Sequence, residues 1–176
     1  MPYAPMELRS PAVTPIVRMA ERRDAESVRA IYNLEVAEST VTFDLVPRTL
    51  DDQVQWIDEH QGAHPAIVAV GEDDAVVGFG SLSPFHPRPA YRTTVENSVY
   101  VDREHRGGGV GRLLLDELVR LAVDHGFHSV IARIVGGHEA SIALHRACGF
   151  NVIGTQREVG RKLGRWLDVV EMQRML

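Results

Sequence analysis

Apolar positions change period along the chain, and each change marks an element. "PIVRMA" (15–20) is a short apolar run of strand length. Asp24 predicts a helix N-cap, and Val28, Ile31, Tyr32 and Glu35 then share one helical face up to about Glu38. "STVTFDLVPRT" (39–49) is β-branched but broken by proline, and predicts a loop. Thr49 with Asp52 resembles a capping box opening a second helix to about His60. "AIVAV" (66–70) and "AVVGFGSL" (75–82) flank "GEDD", a hairpin pattern, and the proline-dense "PFHPRPAYR" (84–92) predicts a loop. "TTVENSVYV" (93–101) alternates cleanly. Val95, Asn97, Val99 and Val101 face one way, and Thr94, Glu96, Ser98 and Tyr100 the other. Val110, Leu114, Leu118, Leu121 and Ala122 then keep helical spacing to His125, where Gly126 ends the helix. "SVIARIV" (129–135) is a strand, and "HEASIALHRACGF" (138–150) is a short helix stopped at Gly149. "NVIGTQREV" and "WLDVVEMQRM" are two final strands. The order β α α β β β α β α β β predicts an α/β chain with a mixed sheet and helices on both faces.

Composition narrows the class. With 176 residues and 44% hydrophobic content, the expectation is one domain over 15–176, after a flexible N-terminal tail at 1–14. That tail has no apolar stretch of the signal-peptide kind, and no run is long enough to span a membrane. A net charge of −5 argues against a nucleic-acid-binding surface. The single cysteine, Cys148, excludes an internal disulfide and a CxxC zinc site, and fits a reducing, cytoplasmic compartment. Eight histidines are present, yet no HExxH accompanies them, so no metal is expected. Cys148, between Ala147 and Gly149, reads as a small buried residue.

The stretch "YVDREHRGGGVGRLLLDELV" (100–119) is the least generic in the chain. A strand, a glycine-rich turn and a helix N-terminus together make an anion site, because the first N–H groups of a helix lack internal partners. Glycine lets the backbone come close to phosphate oxygens, and Arg106, with Arg103 and Arg112, would add charge. A plain flexible surface turn is the competing reading. A P-loop needs Gly-Lys-Ser/Thr where this chain has Arg112-Leu113-Leu114. The dinucleotide fingerprint puts Arg112 or Leu114 in the place of its third glycine.

Arg106, Gly109 and Gly111 do match Arg-x-x-Gly-x-Gly, which resembles the pyrophosphate loop of the GNAT superfamily of acyl-CoA N-acetyltransferases. "TVENSVYV", "SIALHRACGF", "GRWLDVVEMQR", "ESTVTFD" and "RPAYRTTVE" are similar to blocks of its phosphinothricin/methionine sulfoximine acetyltransferase family. The similarity runs from about Val17 to the C-terminus. It implies a central twisted sheet splayed at the acyl-CoA site, acetyl-CoA as cosubstrate and a homodimer. It assigns Val99, Tyr100 and Val101 to the pantetheine arm. Gly107, Gly108, Gly109, Val110, Gly111 and Arg112 go to the pyrophosphate, along with Arg106, while His138 and Ser141 lie on the cofactor side.

The reaction such a chain would run is acetyl transfer to the α-amine of a small amino-acid-like acceptor. An α-amine is mostly protonated at neutral pH and needs a base. The resemblance places that base at Glu96, which alternation puts on the polar face of its strand; a merely salt-bridged strand glutamate is the bland reading. Backbone N–H groups near Val101 would polarise the thioester oxygen. His145 stands where many superfamily members carry an acidic tyrosine, and so becomes the candidate proton donor; a structural histidine is its alternative. His138 replaces an asparagine common in the family. Arginine reads carboxylates and tetrahedral oxyanions well, which points to Arg92, with Tyr91, bordering the strand of Glu96, for the acceptor; the aligned "TVTF" block of the resemblance implies Phe43 as a pocket wall. Arg88 reads as a solvated loop charge, and Trp166 as core, subunit contact or ligand contact. Two other functions compete: acetylation of a protein N-terminus or another amine, and a non-catalytic acyl-CoA-binding protein. The proline-rich 84–92 loop favours a closed pocket over an open peptide groove.

Overall fold

The computed structural model describes residues 15–176, and the tail predicted over 1–14 lies outside them. β1 (Ile16–Met19), β2 (Ala66–Val70), β3 (Val76–Pro84) and β4 (Thr94–Val101) form an antiparallel meander. β5 (Ser129–Val135) then runs parallel to β4, and β7 (Arg165–Met175) and β6 (Asn151–Lys162) extend the sheet antiparallel. The result is one seven-stranded sheet in the order β1-β2-β3-β4-β5-β7-β6. Its helices are α1 (Ala25–Glu38), α2 (Leu50–Glu59), α3 (Val110–Asp124) and α4 (Glu139–Ala147), in the predicted order.

Strand alternation decides which core each residue joins. Ile67, Ala69, Leu82, Val95, Val130 and Ala132 pack with Leu114, Leu115 and Leu118 of α3 and Ile142 of α4. The intervening Val68 and Phe79 pack on the other face, with Val28, Ile31 and Tyr32 of α1 and Ile57 of α2. Each fully buried leucine or isoleucine contributes roughly 1.5–3 kcal/mol relative to exposure. α3 crosses β3 at a place where side chains are missing. A Cβ on Gly80 would lie 2.9 Å from Leu118 Cδ1 and 3.0 Å from the Ser98 carbonyl oxygen.

The start of α1 differs from the expected cap. Asp24 has helical backbone angles (φ −83°, ψ −9°) and no side-chain cap bond. Its carboxylate reaches backwards instead, accepting from the Glu21 N–H at 2.8 Å and from the two terminal guanidinium nitrogens of Arg18, Nη1 and Nη2, at 2.7 and 2.8 Å. The chain enters its turn three residues earlier than the spacing predicts, because this buried carboxylate ties α1 to β1. The Thr49–Asp52 capping box forms as expected: Thr49 Oγ1 accepts from the Asp52 N–H at 3.1 Å, and Asp52 Oδ2 from the Thr49 N–H at 2.9 Å.

The feature that positions the site is a parting of β4 from β5. Their parallel ladder covers only Thr94–Glu96 against Ser129–Ile131. Past that point β4 stays paired to β3 as far as Val101, and β5 to β7 as far as Val135. The two central strands therefore diverge while each keeps its outer neighbour. Asn97 stands at the fork and donates from Nδ2 to the Ile131 carbonyl at 3.2 Å.

Candidate active site

The fork opens into a cleft of about 470 Å³. Its wall holds Val99, Tyr100, Val101, Arg106, Gly107, Gly109, Gly111, Arg112, His138, Ser141 and His145, so the structure brings together most of the expected cofactor residues. Gly108 and Val110 belong to the same turn but do not line the cleft, and Val110 points into the core. Gly107 (φ 78°) and Gly109 (φ 86°) are left-handed, a conformation that glycine alone adopts without strain. Gly109 is also the N-cap of α3 and has no side chain to occupy the first-turn N–H groups. Gly111 leaves room as well: a Cβ there would sit 3.1 Å from Leu144 Cδ2. Free helix N–H groups, a bare backbone and adjacent guanidinium groups fit a pyrophosphate, and the unpaired edges of β4 and β5 fit an extended amide-bearing arm.

The charges around this loop are shared with α1. Arg106 donates from Nη2 to Glu35 Oε1 at 2.8 Å and from Nε to the Val101 carbonyl at 3.2 Å. Arg103, expected to add charge to the loop, pairs with Glu35 and Glu38 instead and does not line the cleft. Burial works against the Glu35 charge, but bonds from Arg103 and Ser39 and the field of Arg106 hold its pKa below the ordinary range. Arg112 lies 3.3 Å from Asp116 with its side chain largely exposed. His105, which the sequence did not single out, also lines the cleft and contacts Asp102 at 3.0 Å.

His138 precedes α4, with Nε2 3.3 Å from Thr40 Oγ1, and burial lowers its pKa. His145 is buried, and its pKa is lowered by the same cause. Its Nδ1 lies 2.8 Å from the Ser141 carbonyl, which can only accept, so Nδ1 carries a proton. Its Nε2 lies 3.1 Å from Asn97 Oδ1, so both ring nitrogens are engaged at the fork.

A second cleft of about 490 Å³ adjoins the first on the side of the 39–49 loop. The two share Val41, Ser98, Tyr100, Arg133 and Val135, which makes them continuous across the fork. Glu96 lines the second cleft, and Phe43 forms part of its wall, as expected. The Glu96 carboxylate accepts an ion pair from Arg133 Nη2 at 2.8 Å. Tyr91 and Arg92 line neither cleft. Tyr91 ends an exposed turn (Pro89–Tyr91) and packs against Phe85 and His86, and residues 84–92 line neither cleft. Arg88 and Trp166 are exposed and also line neither cleft.

Two charged side chains at the second cleft and its loop wall escaped the sequence reading. Arg133 carries the one signal that could have found it, a charge within the otherwise apolar "SVIARIV". Lys162 is buried at 5% exposure and donates to the Thr42 carbonyl at 2.9 Å, pinning the loop that carries Phe43. Among the described residues no group of three or more histidine, cysteine or acidic side chains could hold a metal ion, and no helix is long and apolar enough to cross a membrane.

Comparison with known proteins agrees with this geometry. The acetyltransferase (GNAT) domain family model matches residues 17–170. The L-methionine sulfoximine/L-methionine sulfone acetyltransferase of Pseudomonas aeruginosa is 38% identical over 158 residues, covering 89% of this chain and 92% of that protein. A GNAT superfamily phosphinothricin acetyltransferase from Sinorhizobium meliloti, solved with acetyl-CoA, superposes with a TM-score of 0.89 at 40% identity, over 93% of this chain and 89% of that one. A ribosomal-protein-alanine N-acetyltransferase from Brucella melitensis superposes with a TM-score of 0.88 at 40% identity, over 92% and 99%. With its glycine loop at the mouth of α3 and its sheet parted beside it, the chain belongs to the GNAT family and is an acetyl-CoA-dependent N-acetyltransferase.

Proposed function

We propose that this enzyme acetylates the α-amine of a small amino-acid-like acceptor of the methionine sulfoximine, methionine sulfone or phosphinothricin type, with Glu96 as general base. The observation that carries this reading is the position of the Glu96 carboxylate, in a cleft continuous with the cofactor cleft through Ser98 and Arg133. The names of the Pseudomonas and Sinorhizobium relatives support the acceptor class. Acetyl-CoA supplies the acetyl group as a thioester. Glu96 takes a proton from the acceptor's ammonium, directly or through a water, which leaves a lone pair on nitrogen. Backbone groups of β4 past the fork, which have no ladder partner on the β5 side, hold the pantetheine arm and polarise the carbonyl being attacked. Gly107 to Arg112, with Arg106, hold the pyrophosphate. As the imidazolium, with Nδ1–H kept on the Ser141 carbonyl and Nε2–H first held by Asn97 Oδ1, His145 passes its Nε2 proton to the departing sulfur and is left neutral. Phe43 walls the acceptor cleft, and residues 15–176 act as one domain. A homodimer is in keeping with exposed Ile153 and Val159 on β6, Leu163 in the turn after it and Trp166 on β7.

Peptide acceptance is the second reading. It is favoured by the exposed 84–92 loop, which leaves the acceptor cleft uncovered, and by the Brucella neighbour. Thiol release from acetyl-CoA should be followed with methionine sulfone, methionine sulfoximine, phosphinothricin, ordinary amino acids and an N-terminal peptide. Turnover of the sulfone or phosphinothricin group, with kcat lowered about 10²–10⁴-fold in Glu96→Gln, is the expected result. Turnover of the peptide alone removes the acceptor assignment, and an unchanged kcat in the variant removes the base.

A further inference from the structure

The acceptor cleft contains a cation that no expectation assigned. Among the described residues lining it, Arg133 is the only one with a positive charge, beside the acids Asp44 and Glu96. Asp44 is already engaged, accepting from the Tyr32 hydroxyl at 2.6 Å. Arg133 and Glu96 hold each other at 2.8 Å. The arginine expected to read the acceptor, Arg92, lies outside both clefts.

We infer that Arg133 reads the acceptor's α-carboxylate, and that its ion pair with Glu96 keeps the base occupied until an acceptor carrying a carboxylate arrives. The inference rests on the acceptor class proposed above and narrows it to free amino acids. Ile131 is the β5 partner of Glu96, and Arg133 lies two residues further along the same strand face, where the ladder has ended. The ion pair therefore bridges the fork itself. The Arg133 side chain is 52% exposed and borders both clefts, so its guanidinium can turn toward a ligand without unpacking a core.

A free amino acid carries an ammonium and a carboxylate on one carbon, the complement of an adjacent carboxylate and guanidinium. Binding exchanges partners. The guanidinium leaves Glu96 for the acceptor's carboxylate, where its planar fork makes paired hydrogen bonds, and Glu96 turns to the ammonium. One N–H bond of the ammonium then breaks, its electron pair stays on nitrogen, and the proton forms an O–H bond on Glu96. Arg133 keeps its charge throughout, on the carboxylate. An amine whose carboxyl is an amide, as in a peptide N-terminus, offers Arg133 nothing to exchange for, and Glu96 stays paired.

The test is kcat/KM for methionine sulfone and for its α-carboxamide, measured on wild type, Arg133→Ala and Arg133→Lys. The wild type should prefer the free acid by about 100-fold, since a site built around a polar partner rejects the analogue lacking it. Arg133→Ala should lower kcat/KM for the free acid by about 10- to 100-fold and shrink the preference to within about threefold. Arg133→Lys should restore part of it, as a point charge without the fork. Thermal melts confirm that the variants fold, and the lysine variant carries the test if alanine does not. Turnover of the free acid with no preference in the wild type, or with the preference intact in Arg133→Ala, overturns this inference and leaves the acceptor class standing. Turnover of the carboxamide or peptide alone by the wild type overturns the acceptor class and this inference with it.

Discussion

Gly160 has no side chain because Phe43 occupies the space. A Cβ at this position in β6 would stand 2.6 Å from Phe43 Cε2 and 2.8 Å from Cζ. Two residues on, Lys162 holds the Thr42 carbonyl, and burial depresses the lysine's pKa. The loop wall of the second cleft is thus seated on β6 at two neighbouring points, one steric and one polar. A methyl group at 160 cannot share the site, but the Phe43 ring is 40% exposed and can swing into solvent. Gly160→Ala should therefore cost little stability, within about 1 kcal/mol, while reshaping the cleft. The expected result is an acceptor KM raised several-fold with the acetyl-CoA KM unchanged. Equal movement of both constants would mean that Phe43 is not part of the acceptor wall.

At the scale of elements, site and fold have one origin, the place where β4 and β5 stop pairing. The glycine turn delivers α3 to that place with its N–H groups bare. Gly109 is the position least replaceable, since an alanine there must hold φ near 86° at a cost of about 1–2 kcal/mol or rotate the first turn of α3 away. Gly109→Ala should raise the Kd for acetyl-CoA about tenfold by isothermal titration, with a smaller effect on the KM for the acceptor; unchanged cofactor affinity would detach the loop from the pyrophosphate. The element order was legible because alternation and helical period are local, and each of the two cores uses one parity of the strands except at the β2–β3 register shift, where Val77 joins the α3 core. The fork was not legible from the residues alone, since "TVENSVYV" alternates identically on both sides of it. What marks it is long-range: the Asn97 amide on Ile131, and His145 on Asn97. Arg92 lies outside both clefts for a related reason. It precedes Glu96 by four residues, about 13 Å along an extended chain, toward the paired end of the strands. The cleft opens at the other end, where β5 contributes Arg133.

For the molecule as a whole, α1 is braced at both ends by buried carboxylates, with Asp24 on Arg18 of β1 and Glu35 on Arg103 and Arg106 beside the cofactor turn. Burial opposes both charges, but hydrogen bonds from Arg18 to Asp24 and from Arg103 to Glu35 prevail, and both pKa values lie below their ordinary 3.8 and 4.5. The unfolded chain therefore binds more protons in acid, and this stabilisation is complete above the unfolded values and lost as pH falls through the folded ones. The buried His145 and the half-buried His60 and His138 act earlier. Burial lowers their pKa from 6.5, so protonation favours the unfolded chain once pH drops below that value. The melting temperature should accordingly be flat between about pH 7 and 8, decline gently below 6.5 and fall steeply below 4.5. Glu35→Gln isolates one contribution. It should cost about 1–3 kcal/mol at pH 7, where it deletes a buried charge-assisted hydrogen bond. A protonated Glu35 is nearly an isostere of glutamine, so the gap between the two melting curves should close as pH falls through the folded Glu35 pKa, below 4.5. A gap that stays constant with pH would assign the loss to packing and show that the Glu35 charge does not brace the cofactor turn.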